Sequence, residues 1–339
     1  MNKIVECVPN FSEGRDIKII NAIGGAITRV AGVKFISAEP NADYNRTVVT
    51  FVGSPEAVVE GAFEGTRVAT ELIDMRMHKG EHPRLGATDV VPFVPVGGIT
   101  MAECASLARA FGRRVGDELH LPVYLYEEAA MRPERRNLAN VRKGEYEGLE
   151  NKLNLKEWQP DFGPAVFEPR SGAVIAGARM FLIAYNVNLN TNNVKAASEI
   201  AGRIRESGRP QKDGNGHPVL GADGKKVVLP GTLKSVKAMG VALDSHNIAQ
   251  VSMNLTNFYV TSLHTAYEEV KKEAATLGLT VTGSEIVGLT PKEALVLAGK
   301  YYSPAEADEE ALIRSAVTNL GLDDLEPFDL QKKIIENQC

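Results

Sequence analysis

Cysteine is scarce in this sequence: Cys7, Cys104 and Cys339 are the only three in 339 residues, an odd number with no close pair. That count fits neither a disulfide framework nor a thiolate zinc site, and it suits a reducing cytoplasm. Apolar runs of membrane-spanning length are missing, and the opening Met1-Asn2-Lys3-Ile4-Val5-Glu6 meets an acid before a signal core can form. A cytoplasmic chain with no membrane role is expected. Net positive charge is also lacking. With 38 Lys and Arg against 43 Asp and Glu, the formal charge is -5, which argues against nucleic acid as the main partner. Phosphate-binding glycine motifs are wanting too. Gly221, Gly224 and Lys225 lack P-loop spacing, and Gly24-Gly25 sits inside a helical stripe, so a nucleotide site is rejected.

What is present is a soluble globular composition, 44% hydrophobic and 24% charged, in a chain long enough for two domains. Apolar periodicity predicts a strand at 3 to 8, a helix at 16 to 30 with Ile17, Ile20, Ile23 and Ile27 on one face, and strands at 33 to 38 and 46 to 52. A helix opens at Ser54-Pro55 and frays near His78 to Gly80. The strand Val90 to Val96 then leads through the capping-box pair Thr100 and Glu103 into a helix ending near Gly116. The order β-α-β-β-α-β recurs: strand 179 to 188, helix 191 to 206, strands 233 to 242 and 248 to 256, helix 261 to 276, strand 279 to 286.

The predicted class is therefore α+β, with two ferredoxin-like (βαββαβ) subdomains whose sheets face a central substrate cleft. The boundaries are 1–178, 179–326 and a tail at 327–339. Residues 127 to 178, with Arg132, Arg135, Arg136, Arg142 and the single Trp158, read as an irregular crossing that lines the cleft. Ser207 to Gly231 reads as a flexible excursion with a hairpin turn at Asp223-Gly224. After Pro291 the chain is expected to be helical, with Ser303 and Glu306 as a capping pair.

The densest group of proton-transfer side chains is Met77-His78-Lys79-Gly80-Glu81-His82-Pro83-Arg84-Leu85-Gly86-Ala87-Thr88-Asp89. Gly80, Pro83 and Gly86 shape it as a loop. His78 to His82 matches H-x-x-E-H, yet the zinc pattern needs a helix running through both imidazoles, and Gly80 and Pro83 break it. No metal is expected. His78 alone reads as a cation near a helix C-terminus. For His82, local sequence leaves a structural loop histidine and a catalytic one as equal readings. Pro9 to Arg15, Asn41 to Arg46 and Gly163 to Gly172 each pass singly as loops. The last has aromatic and cationic members that suit a planar anionic small molecule.

Taken together, these segments resemble the formiminotransferase family. Val5-Glu6-Cys7-Val8-Pro9-Asn10-Phe11-Ser12-Glu13-Gly14, Asn45-Arg46-Thr47-Val48 and His78-Lys79-Gly80-Glu81-His82-Pro83-Arg84 are similar to its opening, its next block and its active-site loop. Pro122 to Tyr126, Asp161 to Pro164 and Gly177 to Arg179 extend the likeness over nearly the whole chain. The resemblance implies transfer of a formimidoyl group between N-formimidoyl-L-glutamate and N5 of tetrahydrofolate, a step of histidine degradation. It implies His82 as the catalytic residue and Gly163, Pro164, Ala165, Val166, Phe167, Glu168, Pro169, Arg170, Ser171 and Gly172 as the folate-binding segment. A homodimer is implied as well. Glu39, Arg46, Glu81, Arg84 and Asp89 are candidate supporting groups: a carboxylate to orient the ring, or an arginine, Arg170 included, to hold substrate carboxylates. The chain stops at Cys339 without a cyclodeaminase domain, so a separate cyclodeaminase is expected to take the product. Glu39 stands where aspartate is expected, and the added methylene moves the carboxylate.

Competing readings are a formyltransferase acting on 5-formyltetrahydrofolate, a zinc hydrolase, and a non-catalytic folate or amino-acid sensor.

Overall fold

The computed structural model describes residues 3–214, 216–221 and 223–338. Met1, Asn2, Asn215, Ala222 and Cys339 lie outside the described residues, and with them the expectations that fall on the first two residues, on Cys339 and on those two positions of the excursion. The chain forms two units, one running to Met180 and the other Phe181–Asn337.

The first unit contains β1 (Ile4–Cys7), β2 (Asn10–Phe11), α1 (Ile17–Thr28), β3 (Val33–Asn41), β4 (Arg46–Gly53), α2 (Pro55–Leu72), β5 (Thr88–Gly97), α3 (Met101–Glu118), β6 (Val123–Glu127), α4 (Leu138–Arg142), α5 (Leu149–Leu153) and β7 (Val174–Ala178). Local chemistry sets the helix starts. Asp16 accepts from Lys18 N–H and Ser54 from Ala57 N–H, with Pro55 in the first turn, and Thr100 and Glu103 form the reciprocal capping box. The second helix does not reach His78. It stops at Leu72, and an Asp74-to-Arg76 turn takes the chain onward.

Strand alternation divides the seven-stranded sheet into two faces. Cys7, Phe11, Phe51, Phe93 and Leu125 point to one, where Ile23, Ile27, Val58, Phe63, Ala108 and Phe111 of α1 to α3 complete the core. On the other, Val90, Tyr124, Tyr126 and Ile175 meet Val141 of α4 and Leu149 and Leu153 of α5. The antiparallel part runs β3-β4-β1-β5, with β2 continuing the line of β1 between β4 and β5. Beyond β5 the sheet grows by β7 and β6, both joined in parallel. The stretch 127 to 178 is thus only partly the irregular crossing expected, because Val174–Ala178 is a buried sheet strand.

The second unit contains β8 (Ile183–Leu189), α6 (Val194–Ile204), β9 (Arg209–Pro210), β10 (Val228–Leu229), β11 (Val236–Leu243), β12 (Ile248–Leu255), α7 (Leu263–Thr276), β13 (Val281–Val287), α8 (Lys292–Tyr302) and α9 (Glu309–Leu320). Its four-stranded antiparallel sheet has the order β11-β12-β8-β13. Within the excursion β9 pairs β10, a Leu220–Lys226 bridge follows, and Gly224 takes φ +75°, which a turn there requires. Ser303 closes α8 rather than opening a helix. Asp308 caps α9 instead, because its side chain reaches Ala311 N–H. Within 327–338, Ile335 is fully buried and its N–H donates to Thr290 O at 3.0 Å. Among the described residues no helix is long and apolar enough to cross a membrane.

Candidate active site around His82

Asn45 ties together three loops that the sequence could treat only singly. It takes φ +46°, a conformation asparagine tolerates better than most residues. Its side-chain oxygen accepts from Gly14 N–H at 2.9 Å, its amide donates to Lys79 O at 3.2 Å, and its carbonyl accepts from His78 Nε2 at 2.9 Å. The approach is close enough to dictate glycine on both sides. A Cβ at Gly14 would lie 2.2 Å from Asn41 O, and one at Gly80 would lie 2.2 Å from Tyr44 O. The turn after β1, the β3–β4 loop and the 78–80 loop are one assembly.

His78 has both ring nitrogens committed. Nε2 faces a carbonyl, so it carries the proton, and Nδ1 accepts from Arg84 Nε at 3.2 Å. The ring is neutral, and burial holds its pKa below the ordinary histidine value, so it is not the expected helix-end cation. Arg84 is itself buried. Its guanidinium bonds Glu145 at 3.1 Å and Glu147 at 2.8 and 2.6 Å, an arrangement that fixes His78 from behind. A pocket of about 460 Å³ opens beside these groups, lined by His78, Lys79, Gly80, Arg84, Gly144, Glu145 and Glu147. The 78–82 stretch is not helical, so the two imidazoles lack the one-turn spacing of the zinc motif.

His82 is half-buried at the rim of this assembly. Its Nε2 lies 3.3 Å from Nη1 of Arg46, the first residue of β4, and Tyr44 packs near the ring with centroids 6.2 Å apart. Burial, then the cationic Arg46, Arg142, Arg84 and the nearby His78, push its pKa down to about 4. A neutral imidazole is the resting form at neutral pH. None of the three carboxylates considered for it is its hydrogen-bond partner here. Asp89 is buried, accepts Leu85 N–H at 3.0 Å and pairs with Arg142 Nη2, while burial raises its pKa. Glu39 accepts from Ser37 Oγ at 3.1 Å, and Glu81 is exposed, with its N–H donating to Asp43 O at 3.3 Å.

The segment 163 to 172 meets this loop at its end. Gly86 and Gly172 form an antiparallel bridge, Ala87 N–H donates to Ser171 O at 2.8 Å, and Ala173 N–H to Leu85 O at 3.1 Å. Gly163 at the other end takes φ +76° against Leu121 O. Between these anchors Ala165 and Val166 are exposed and Pro164 is half-buried. Phe167 packs on Tyr146 at 5.5 Å, whose hydroxyl donates to Pro169 O at 2.5 Å. Glu168 accepts Arg170 N–H, and Arg170 Nη2 donates to Glu71 O at 2.5 Å, near the C-terminal end of α2.

Of Arg132, Arg135, Arg136 and Arg142, only Arg142 joins the histidine loop, through Asp89. Arg135 is buried on Asp161 at 2.7 Å and beneath Tyr124 and Trp158, Arg136 pairs with Glu128, and Arg132 donates to Glu157 O. The sequence alone places Arg142 in a cleft-lining crossing and Asn10 in the family-like opening without a role for either, and singles out neither Glu145 nor Glu147. Nothing local marks them, since each gains its role from a partner dozens of positions away.

Within the first of two α+β units, a neutral histidine is set among guanidinium groups, an arrangement chemically able to move a proton beside an anion. The chain belongs to the formiminotransferase family: the model of the formiminotransferase domain's N-terminal subdomain matches residues 4–179 and that of the formiminotransferase domain matches 184–339. It is 51% identical to a formimidoyltransferase-cyclodeaminase of Gallus gallus and 48% to one of Dictyostelium discoideum, each over 99% of this chain. The chain spans 60% of the length of these relatives. It is 41% identical to a glutamate formimidoyltransferase of Streptococcus pyogenes over 99% of both chains.

Proposed function

We propose that this chain is a glutamate formimidoyltransferase that moves the formimidoyl group between N-formimidoyl-L-glutamate and N5 of tetrahydrofolate, with both as substrates and no metal required. The observation that carries the reading is the neutral His82 beside Arg46, in a loop that resembles the family's active-site segment and lies within the residues 4–179 matched by the family model. In the reaction N5 attacks the amidine carbon, N5 gives up one proton, the departing glutamate nitrogen gains one, and the old C–N bond breaks.

A single imidazole can serve both transfers. His82 takes the N5 proton as a base and returns it to the leaving nitrogen as an acid, for no net change in the enzyme. Arg46 supplies charge for a substrate carboxylate, and Asp89 acts at one remove by holding Arg142. Gly163 to Gly172 hold folate, a role supported by exposed Val166, by Phe167 packed at a tilt against Tyr146 and by the Gly86–Gly172 bridge to the histidine loop. We assign each unit a ferredoxin-like subdomain on the support of the orders β3-β4-β1-β5 and β11-β12-β8-β13, and by resemblance a cytoplasmic homodimer that works with a separate cyclodeaminase.

One assay tests the reaction. N-Formimidoyl-L-glutamate and N-formyl-L-glutamate are each offered with tetrahydrofolate and the folate product is weighed by mass spectrometry. Formimidoyl transfer is expected, and exclusive formyl transfer or no transfer overturns the proposal.

A further inference from the structure

Arg46 holds more donors than the protein satisfies. Nη1 serves Asn10 Oδ1 at 2.8 Å and His82 Nε2 at 3.3 Å, whereas Nε is sealed from solvent and has no acceptor. The charged groups facing Arg46 and His82 are Arg142, Arg84, Asp89 and Glu39, with Tyr44 and His78 beside them. Asp89 is taken by Arg142 and Leu85, and Glu39 by Ser37. Among the described residues no carboxylate lies at ion-pair distance from Arg46. A guanidinium only donates, so the lone pair of His82 Nε2 points at Arg46 and the ring proton sits on Nδ1. While that contact stands, neither nitrogen of His82 can accept a proton from a substrate.

Building on the function proposed above, we infer that Arg46 is a removable cap on His82, displaced by a carboxylate of the amino-acid substrate. The carboxylate takes the guanidinium through its unmet Nε and an Nη, Nε2 is released, and the N–H proton of the attacking amine moves onto it. The imidazolium keeps its Nδ1 proton and later returns the Nε2 proton to the departing nitrogen. The base is therefore switched on by acidic substrates, and an amidine without a carboxylate leaves it capped. This sets substrate class, and it keeps the empty site from activating water.

The test is an NMR pH titration of the full chain labelled at histidine, with the His82 signal assigned from an H82N spectrum and glutarate as the probe. Without glutarate, His82 is expected to titrate well below ordinary histidine. Saturating glutarate is expected to move its midpoint up by about one pH unit or more, toward the usual value near 6.5. In R46Q the midpoint is expected to start higher and ignore glutarate. If R46Q does not fold, R46K replaces it, and a glutarate response as large as that of the wild type overturns the cap. An unmoved wild-type midpoint at saturation also overturns it.

Kinetics give a second readout. The acid limb of kcat/KM reports the free enzyme and that of kcat the bound complex, so the kcat limb is expected at higher pH in the wild type, with the two limbs merging in the variant. The titration needs no turnover. A glutarate response in a protein that transfers no formimidoyl group would retire the reaction and keep the cap, and turnover with an unmoved midpoint would do the reverse.

Discussion

The antiparallel orders β3-β4-β1-β5 and β11-β12-β8-β13 are alike, yet the faces turned away from the principal helices carry opposite chemistry. In the second unit, Tyr185 faces α7 and α8, so alternation turns Asn186 and Asn188 the other way. There Glu285 accepts from Asn186 at 3.0 Å and Gln250 at 2.9 Å, Gln250 also donates to Asn188 at 2.8 Å, and Asn188 donates to Asp324 at 3.0 Å. Each amide's donor finds an acceptor within the unit. In the first unit, Arg46 and Thr88 keep buried polar atoms without partners, and two histidines are held neutral among cations. A closed network rigidifies its sheet, whereas unmet donors beside a base mark where a ligand completes the protein.

That contrast can be broken most sharply at His82. His82→Ala is expected to lower kcat/KM by about 10²- to 10⁴-fold with little change in thermal midpoint, measured by steady-state assay and melting curves. A variant with full turnover would leave the first unit's open chemistry without its central group. Next in size is Gly86→Ala, whose Cβ would lie 2.3 Å from Ser171 O and 2.5 Å from Ala173 O. Because the clash is with backbone on both sides, a loss of more than about 3 kcal/mol in urea denaturation is expected. Gln250→Leu probes the closed network. It takes a donor from both Asn188 and Glu285 and is expected to cost about 1–3 kcal/mol, and a neutral result would show that the network does not hold its sheet.

The smallest expected effect is on acid stability. A histidine whose folded pKa is depressed contributes stability that is whole above the unfolded value near 6.5 and is lost as pH falls toward about 4. Wild type should therefore lose stability relative to His82→Asn over that window, by on the order of 1 kcal/mol after solvent screening, as read from urea midpoints at pH 7, 5.5 and 4.5. A constant difference between the two proteins would place the ring in an ordinary environment.

Signals written within one turn or one strand were legible in the sequence. Ser54-Pro55, the Thr100–Glu103 box and the element order of the second unit are of this kind, and the structure has all three. The parallel strand Val174–Ala178 was not. Buried on both faces, it shows no period-two alternation, and Gly177 weakens its strand character for a reason visible only in three dimensions: a Cβ there would lie 2.3 Å from the Tyr126 ring. The site divides likewise. The histidine loop announced itself by density of titratable groups, but the pairing of Asp89 with Arg142, 53 positions apart, is a product of folding. Ser303 was misread as a cap because it ends α8, and the next helix opens only at Glu309, where Asp308 accepts from Ala311 N–H.

The bridge between Gly86 and Gly172 ties the evolutionary freedom of two distant stretches of gene together. No side chain fits at Gly86 unless Ser171 to Ala173 shift, and Gly172, at φ +68° with Leu85 O 2.2 Å from its would-be Cβ, imposes the reverse condition. A graft of the 163–172 loop from a relative would therefore have to bring residues 84–87 with it, and the two would be inherited as one cassette.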